Sequence, residues 1–236
     1  MTQFYRTYKL SKKPPTFHDC PGITSVIDTK SRKFDPIKRY GQNFFNAFEF
    51  KLEGWTLLAC EETPPCYNTP NISYHMNCIV ITVGHVCSKE RHDTKGSAIV
   101  TVGDGSIYNL QVELEPLEPL ESQTPENYSK LTPENESKLT PRKVQLLSGI
   151  HGLKQALAIY KSGFWKGNWG RVVIKCTARW LAVIMTEKIP GWERNGYRKN
   201  MWLEPYYREL SRLVSELNSG SIEVLFWDVS ETATLE

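Results

Sequence analysis

Residues Arg171–Pro190 read RVVIKCTARWLAVIMTEKIP. Val172-Val173-Ile174 is a short β-branched apolar run, the signature of a buried strand. Ala178, Trp180, Leu181, Ala182, Ile184 and Met185 then recur as in a buried helix, and Pro190 predicts its end. A strand running directly into a helix is half of an α/β unit. Its turn, Cys176-Thr177-Ala178, falls at the carboxyl end of the strand, where open α/β sheets place their chemistry. The identity of the residues in that turn therefore decides much of the functional reading.

Upstream, Cys78–Val83 (CIVITV) and Ser97–Val102 (SAIVTV) read as strands, with a polar loop from Ser88 to Lys95 between them. Gly103-Asp104-Gly105 marks a hairpin-type turn. Ile107–Leu114 alternates apolar and polar residues as a third strand, which completes an antiparallel meander. Thr140-Pro141 caps and starts a helix whose Leu146, Ile150, Leu153, Leu157 and Tyr160 form one face. Downstream, Leu203, Tyr206, Leu210, Leu213 and Leu217 mark a further helix, ended by Asn218 and Gly220. Ile222–Val229 is a last strand. The fold class expected is α/β, a mixed five-stranded sheet of three antiparallel strands followed by two more, flanked by helices.

This places the main domain at residues 76–236. Residues 1–75 form an irregular extension with a basic arm and an aromatic segment, Phe44, Phe45, Phe48 and Phe50. The first forty residues hold nine Lys or Arg against three Asp. Such an arm can touch phosphates or simply be solvated. Residues 114–140 are low in complexity: Leu-Glu-Pro units, then TPENYSKL followed by TPENESKL. Their Pro, Glu and Ser content predicts a surface insertion, and its acidity would repel a phosphate backbone.

The chain has 236 residues, 40% hydrophobic and 23% charged, with net charge +3. That charge is too small to specify a nucleic-acid partner, and no apolar run reaches membrane-spanning length. The amino terminus lacks the apolar core of a secretory signal. An intracellular protein is expected, cytoplasmic or nuclear, with a mitochondrial presequence as the alternative. The six cysteines (20, 60, 66, 78, 87, 176) follow no zinc or disulfide spacing. His85, Cys87 and His92 lack a fourth ligand at sensible spacing.

The order strand, strand, strand, helix, strand, helix, helix, strand resembles the type 1 ribonuclease H family, most closely its fungal members. The resemblance covers about Tyr74 to Glu236. It is carried by Val172–Glu187, Ile189-Pro190-Gly191-Trp192, Arg194-Asn195-Gly196 and Ile222-Glu223-Val224 through Phe226-Trp227. It implies hydrolysis of the RNA strand of an RNA–DNA hybrid by two Mg ions held on four carboxylates.

Matched to that pattern, the acid positions are not acidic. Gly84 stands at the first, in Gly84-His85-Val86-Cys87, and a shift of one residue places Val83 there. Gln145 stands at the second and Thr177 at the third, while the chain ends near the fourth. Asp228 occupies the position of the family histidine. No catalytic residue, metal ligand or cofactor is therefore expected; Mg would be expected only of an active nuclease.

The expected function is binding by an inactive ribonuclease H-like protein, its partner RNA–DNA hybrid, RNA, or another protein. The nucleic-acid contacts expected are Arg179, Trp192, Arg194, Arg198 and Lys199. Trp180 and Trp192 can equally serve the core. Two other readings stay open. One is an active hybrid ribonuclease recruiting Asp93, Asp104, Asp228 or Glu231. The other is a protein-interaction module or a decaying gene copy without defined activity.

Overall fold

A computed structural model describes residues 32–36, 38, 49–59, 74–90, 93–117, 138–165, 170–197 and 202–230. Its strands are β1 (Glu49–Leu52), β2 (Trp55–Ala59), β3 (Tyr74–Glu90), β4 (Asp93–Thr101), β5 (Leu110–Glu113), β6 (Gly170–Cys176) and β7 (Ile222–Asp228). Its α-helices are α1 (Pro141–Lys161), α2 (Arg179–Val183), α3 (Ile189–Asn195) and α4 (Glu204–Ser219).

β3, β4 and β5 form the antiparallel meander. β6 adds to the other side of β3 in parallel, and β7 adds in parallel to β6. The expected mixed five-stranded sheet is present in the order β5-β4-β3-β6-β7. The β1–β2 hairpin joins the same sheet, pairing antiparallel with the amino-terminal part of β3. Thr56 N donates to Val102 O at 2.8 Å, so β2 continues the edge of β3 that β4 vacates. Segment 1–75 thus contributes two strands.

Three local expectations need correction. The described part of the polar run Ser88–Lys95 is strand: β3 and β4 stay paired to Glu90 opposite Asp93, as a ribbon that continues beyond the core. The third strand is shorter than Ile107–Leu114. The Asn109 side chain accepts from Val102 N at 2.8 Å and donates to Gly103 O at 2.7 Å, which holds residues 103–109 in a turn. The helix after β6 does not stop at Pro190. A π-helical turn, Ile184–Lys188, widens the coil just ahead of it, and Pro190 then sits in the first turn of α3.

The sheet has two faces of different make. Ile79, Ile81, Val83, Val172, Ile174, Val224 and Phe226 lie in one core cluster with α1, α2 and α4. Helix α1 approaches closely because it carries Gly152 where a Cβ would meet Val83 Cγ2 at 2.5 Å. On the opposite face Cys78, Val80, Val173 and Leu225 cluster with Leu58 of β2 and with Phe34, which is 1% exposed. Phe34 reaches that face because the chain around it bonds to the outer edge of β7. Phe226 N donates to Arg32 O at 2.7 Å, and Phe34 N donates to Phe226 O at 2.9 Å.

Among the described residues no helix is long and apolar enough to cross a membrane. Cys87 and Cys176 are free thiols. Cys20, Cys60, Cys66, the first three phenylalanines of the aromatic segment and most of the acidic insertion lie outside the described residues.

Candidate functional site

The carboxyl ends of β6 and β7 come together beside the middle of β3, where the β3–β4 ribbon leaves the core. Val83 pairs with Cys176, and Cys176 with Asp228. Directly beyond them lies the Cys176-Thr177-Ala178 turn. Thr177 is exposed, but its backbone N–H donates to Val83 O at 3.3 Å and its hydroxyl donates to the same carbonyl at 3.2 Å. The turn is thereby stitched to the middle of β3.

Gly84 follows Val83 and faces away from α1, because neighbours along a strand alternate faces and Val83 lies against Gly152. A Cβ at Gly84 would stand 3.9 Å from Ile99 and 4.0 Å from Thr177 Oγ1, ordinary van der Waals distances. Crowding therefore does not dictate glycine here; a side chain would be accepted beside Thr177. His85 returns to the α1 face, where the Gln145 side-chain amide lies 3.5 Å from its Nε2. In the tautomer with a bare Nε2, Gln145 donates to it. Burial lowers the pKa of His85 below its usual value, which favours this neutral form.

The sequence-matched positions thus fall into two groups. Thr177 and Gly84 adjoin one another; Gln145 faces His85 on the helix side, and Asp228, in register with Cys176 and Val83, belongs to that same side at the end of β7. Asp228 is half-buried. Its Oδ1 accepts from Ser230 N at 3.0 Å and from Ser230 Oγ at 2.7 Å. Its Oδ2 lies 3.9 Å from Arg179 Nε. Beneath, burial pushes the pKa of the Cys176 thiol up, and the Asp228 charge adds to the effect. Cys176 is a core thiol, not a nucleophile.

A pair of divalent cations does not fit this donor set. Gly84 has no side-chain ligand, and Gln145 and Thr177 offer only neutral oxygens. Asp228 alone is anionic, and it is already engaged by Ser230 and Arg179. Two dications need several anionic oxygens to offset their mutual repulsion. Among the described residues no three His, Cys, Asp or Glu side chains gather to hold a metal. His92 and Glu231 lie outside the described residues, as does the side chain of Asp93. Asp104 sits in the turn after β4 and pairs with Lys51 of β1 at 3.6 Å.

The nucleic-acid candidates separate in a similar way. Arg179 is at the mouth of the site, its side chain 64% exposed. Arg194 is exposed on α3, and its Nε donates to Pro190 O at 3.1 Å. Trp192 is half-buried among aromatic rings, 5.0 Å from Tyr207 and 6.3 Å from Tyr197 between centroids. Its first duty is to pack α3 on α4. Arg198 and Lys199 lie outside the described residues.

The structure adds Arg142, which the sequence did not single out. Its guanidinium stands 5.6 Å from the Trp180 ring centroid, and it lies one helical turn before Gln145 on α1. The neighbouring Lys143 is buried, donates to Lys138 O at 2.8 Å, and faces Trp202. Only the exposed first turn of α1, next to Pro141, hinted at this from the sequence.

No family model matches the chain, and no curated protein sequence matches it. Solved structures do resemble it. One is the prototype foamy virus protease-reverse transcriptase, at TM-score 0.40 and 11% identity, over 62% of this chain and 17% of that one. Another is the LC11 ribonuclease H1 in complex with an RNA/DNA hybrid, at TM-score 0.38 and 9% identity, over 66% and 88% of the two chains. A third is the LC9 ribonuclease H1, a type 1 enzyme with the type 2 active-site motif, at TM-score 0.38 and 17% identity, over 66% and 68%. The chain thus spans about a sixth of the viral protease-reverse transcriptase it resembles. With its mixed sheet, parallel β6 and β7 and flanking helices, this chain has a ribonuclease H-like fold.

Proposed function

We propose that this protein is a degenerate relative of the type 1 ribonucleases H that binds nucleic acid without hydrolysing it. One observation carries the reading: the positions matched by sequence to the family's acids hold neutral groups, Gly84 in the middle of β3, Gln145 near the start of α1 and Thr177 just after β6, whereas two-metal hydrolysis needs carboxylates. A cation pair held by one engaged aspartate would have no anionic clamp.

Binding, by contrast, asks for positive charge and flat faces beside a shallow neutral surface. Arg179 and the Arg142–Trp180 stack supply these around the Thr177 turn. They favour the phosphate backbone of an RNA or an RNA–DNA hybrid over a protein surface. Arg194 extends the same chemistry onto α3, and Arg198 and Lys199 would continue it. Trp192 would act through packing.

The test combines cleavage and binding on one preparation. With Mg or Mn, a labelled RNA–DNA hybrid should remain intact, while a gel shift should appear at low salt and fade steeply as salt rises. Robust cleavage that is abolished by Asp228→Asn would overturn the reading. Absence of any shift, even at low salt, would turn it toward a protein partner.

A further inference from the structure

We infer that the first turn of α1 and the ring of Trp202 form a stacking site for unpaired bases, so that the preferred ligand is a single strand and not the duplex of an RNA–DNA hybrid. This rests on the binding reading above and narrows its ligand class.

Two consecutive residues of α1 each place a cation on an indole. The Arg142 guanidinium stands 5.6 Å from the Trp180 ring centroid, and the Lys143 ammonium stands 5.6 Å from that of Trp202. Neighbours on a helix point about 100° apart, so the two rings flank the turn on different sides. Trp180 comes from α2, and Trp202 from the turn that leads into α4. The pairs differ in what they show to solvent. Arg142 is exposed over a half-buried Trp180, whereas Lys143 is 1% exposed beneath a Trp202 that is 41% exposed. Lys143 is fixed at both ends: its backbone N–H donates to Thr140 Oγ1 at 3.3 Å, and its Nζ donates to Lys138 O at 2.8 Å. A buried ammonium lies on the inner side of the ring, so the open face of Trp202 is the opposite one.

That open face selects among ligands by what each can offer it. A duplex keeps its base faces inside its own stack and presents phosphates and groove edges. An unpaired strand presents the same phosphates and, in addition, one free base face per nucleotide. Only the second gives Trp202 something to stack on. The exposed Arg142, on the neighbouring side of the turn, suits the phosphates that join successive bases. Little charge opposes them. The first turn of α1 carries no acid, and Glu204, two residues after Trp202, is held by Arg208 at 2.6 Å.

Trp202 also covers the Lys143 ammonium, and the two roles ask for different chemistry. A cover needs apolar bulk alone, which Leu supplies. Stacking needs a π face, which Phe supplies and Leu does not. Among the described residues the other large apolar side chains left exposed are Val86 and Ile107, and neither has a π face.

The measurement is fluorescence anisotropy on the full chain with labelled probes of one sequence and length: an RNA strand, a DNA strand, an RNA–DNA hybrid, and the DNA strand with its bases removed at abasic sites. Near 0.1 M salt either intact single strand should bind roughly tenfold tighter than the hybrid. The abasic strand should fall to the level of the hybrid, because it keeps the phosphates and loses the base faces. Trp202→Leu should weaken single-strand binding about tenfold and leave hybrid binding as it was. It should also keep the log–log salt slope, since stacking releases no counterions. Trp202→Phe should restore most of the affinity. Equal binding of the intact and abasic strands by wild type would overturn this inference and leave the binding reading standing, and that comparison needs no variant. Full single-strand affinity in a folded Trp202→Leu protein would overturn it as well. If no probe binds, the binding reading falls and this inference falls with it.

Discussion

The two ends of β6 and β7 carry charge in opposite styles. At the amino ends, Arg171 and Glu223 form an ion pair across the strands, each side chain 8% exposed, with Nε donating to Oε2. At the carboxyl ends, Asp228 and Arg179 stand 3.9 Å apart, and Arg179 is 64% exposed. One end is sealed and holds its charges for the fold alone. The other leaves a cation at the surface beside an exposed threonine. The difference teaches where a ligand can compete: a buried, geometrically tight pair is closed to a phosphate, whereas an exposed cation can be reached from solvent.

The sealed end gives the largest expected effect. Glu223→Leu leaves the Arg171 guanidinium buried without its carboxylate, and stability should fall by about 3–5 kcal/mol in urea unfolding. Replacing both partners with apolar residues (Arg171→Met, Glu223→Leu) should recover most of that loss, since the desolvation of both charges disappears with them. Loss on the double variant equal to the single would show that the pair is not the source. Nucleic-acid binding should survive in the double variant, because neither residue faces the open end.

Much of this contrast was legible in the sequence, and the reason is local. Val172–Ile174 and Ile222–Val229 declare buried strands by composition, and the turn after Cys176 follows from the helix that starts at Arg179. Gly84, Gln145 and Thr177 were singled out only by matching the resemblance position by position. What stayed hidden depends on partners far apart in the chain. Arg32 finds Glu193, and Phe34 finds Leu58 and Leu225, through a sheet edge that only the folded register creates. Gln145 meeting His85 instead of Gly84 is a matter of strand alternation against helix phase, which motif matching ignores. Arg171 and Glu223 gave one usable sign, since charges inside two apolar strand runs demand a partner.

Acid sharpens the comparison from the side of the open end. His85 has its pKa lowered by burial, and His151 by burial and by the charge of Lys154. In both cases the folded protein holds the proton less tightly than the unfolded chain does. The unfolded state therefore takes up more protons as the pH falls below the ordinary histidine value of about 6.5, and stability declines. The associated stabilisation is fully present above that value and is lost as pH drops through the lowered pKa of the fold. The melting temperature should fall between about pH 6.5 and pH 5. His85→Asn with His151→Asn should flatten that part of the profile. An unchanged slope in the double variant would place the proton uptake elsewhere.

The smallest expected stability effect belongs to Arg179, and it separates stability from binding most cleanly. Its side chain lies mostly in water, so Arg179→Ala should change unfolding free energy by less than about 1 kcal/mol. The same change should reduce the salt slope of nucleic-acid binding by about 1, as expected for one lost phosphate contact. Glu223→Leu predicts the inverse pattern, a large loss of stability with the slope retained in whatever fraction stays folded. If Arg179→Ala costs several kcal/mol and leaves the slope untouched, the carboxyl end is as structural as the amino end, and the surface for phosphate must be sought away from the Thr177 turn.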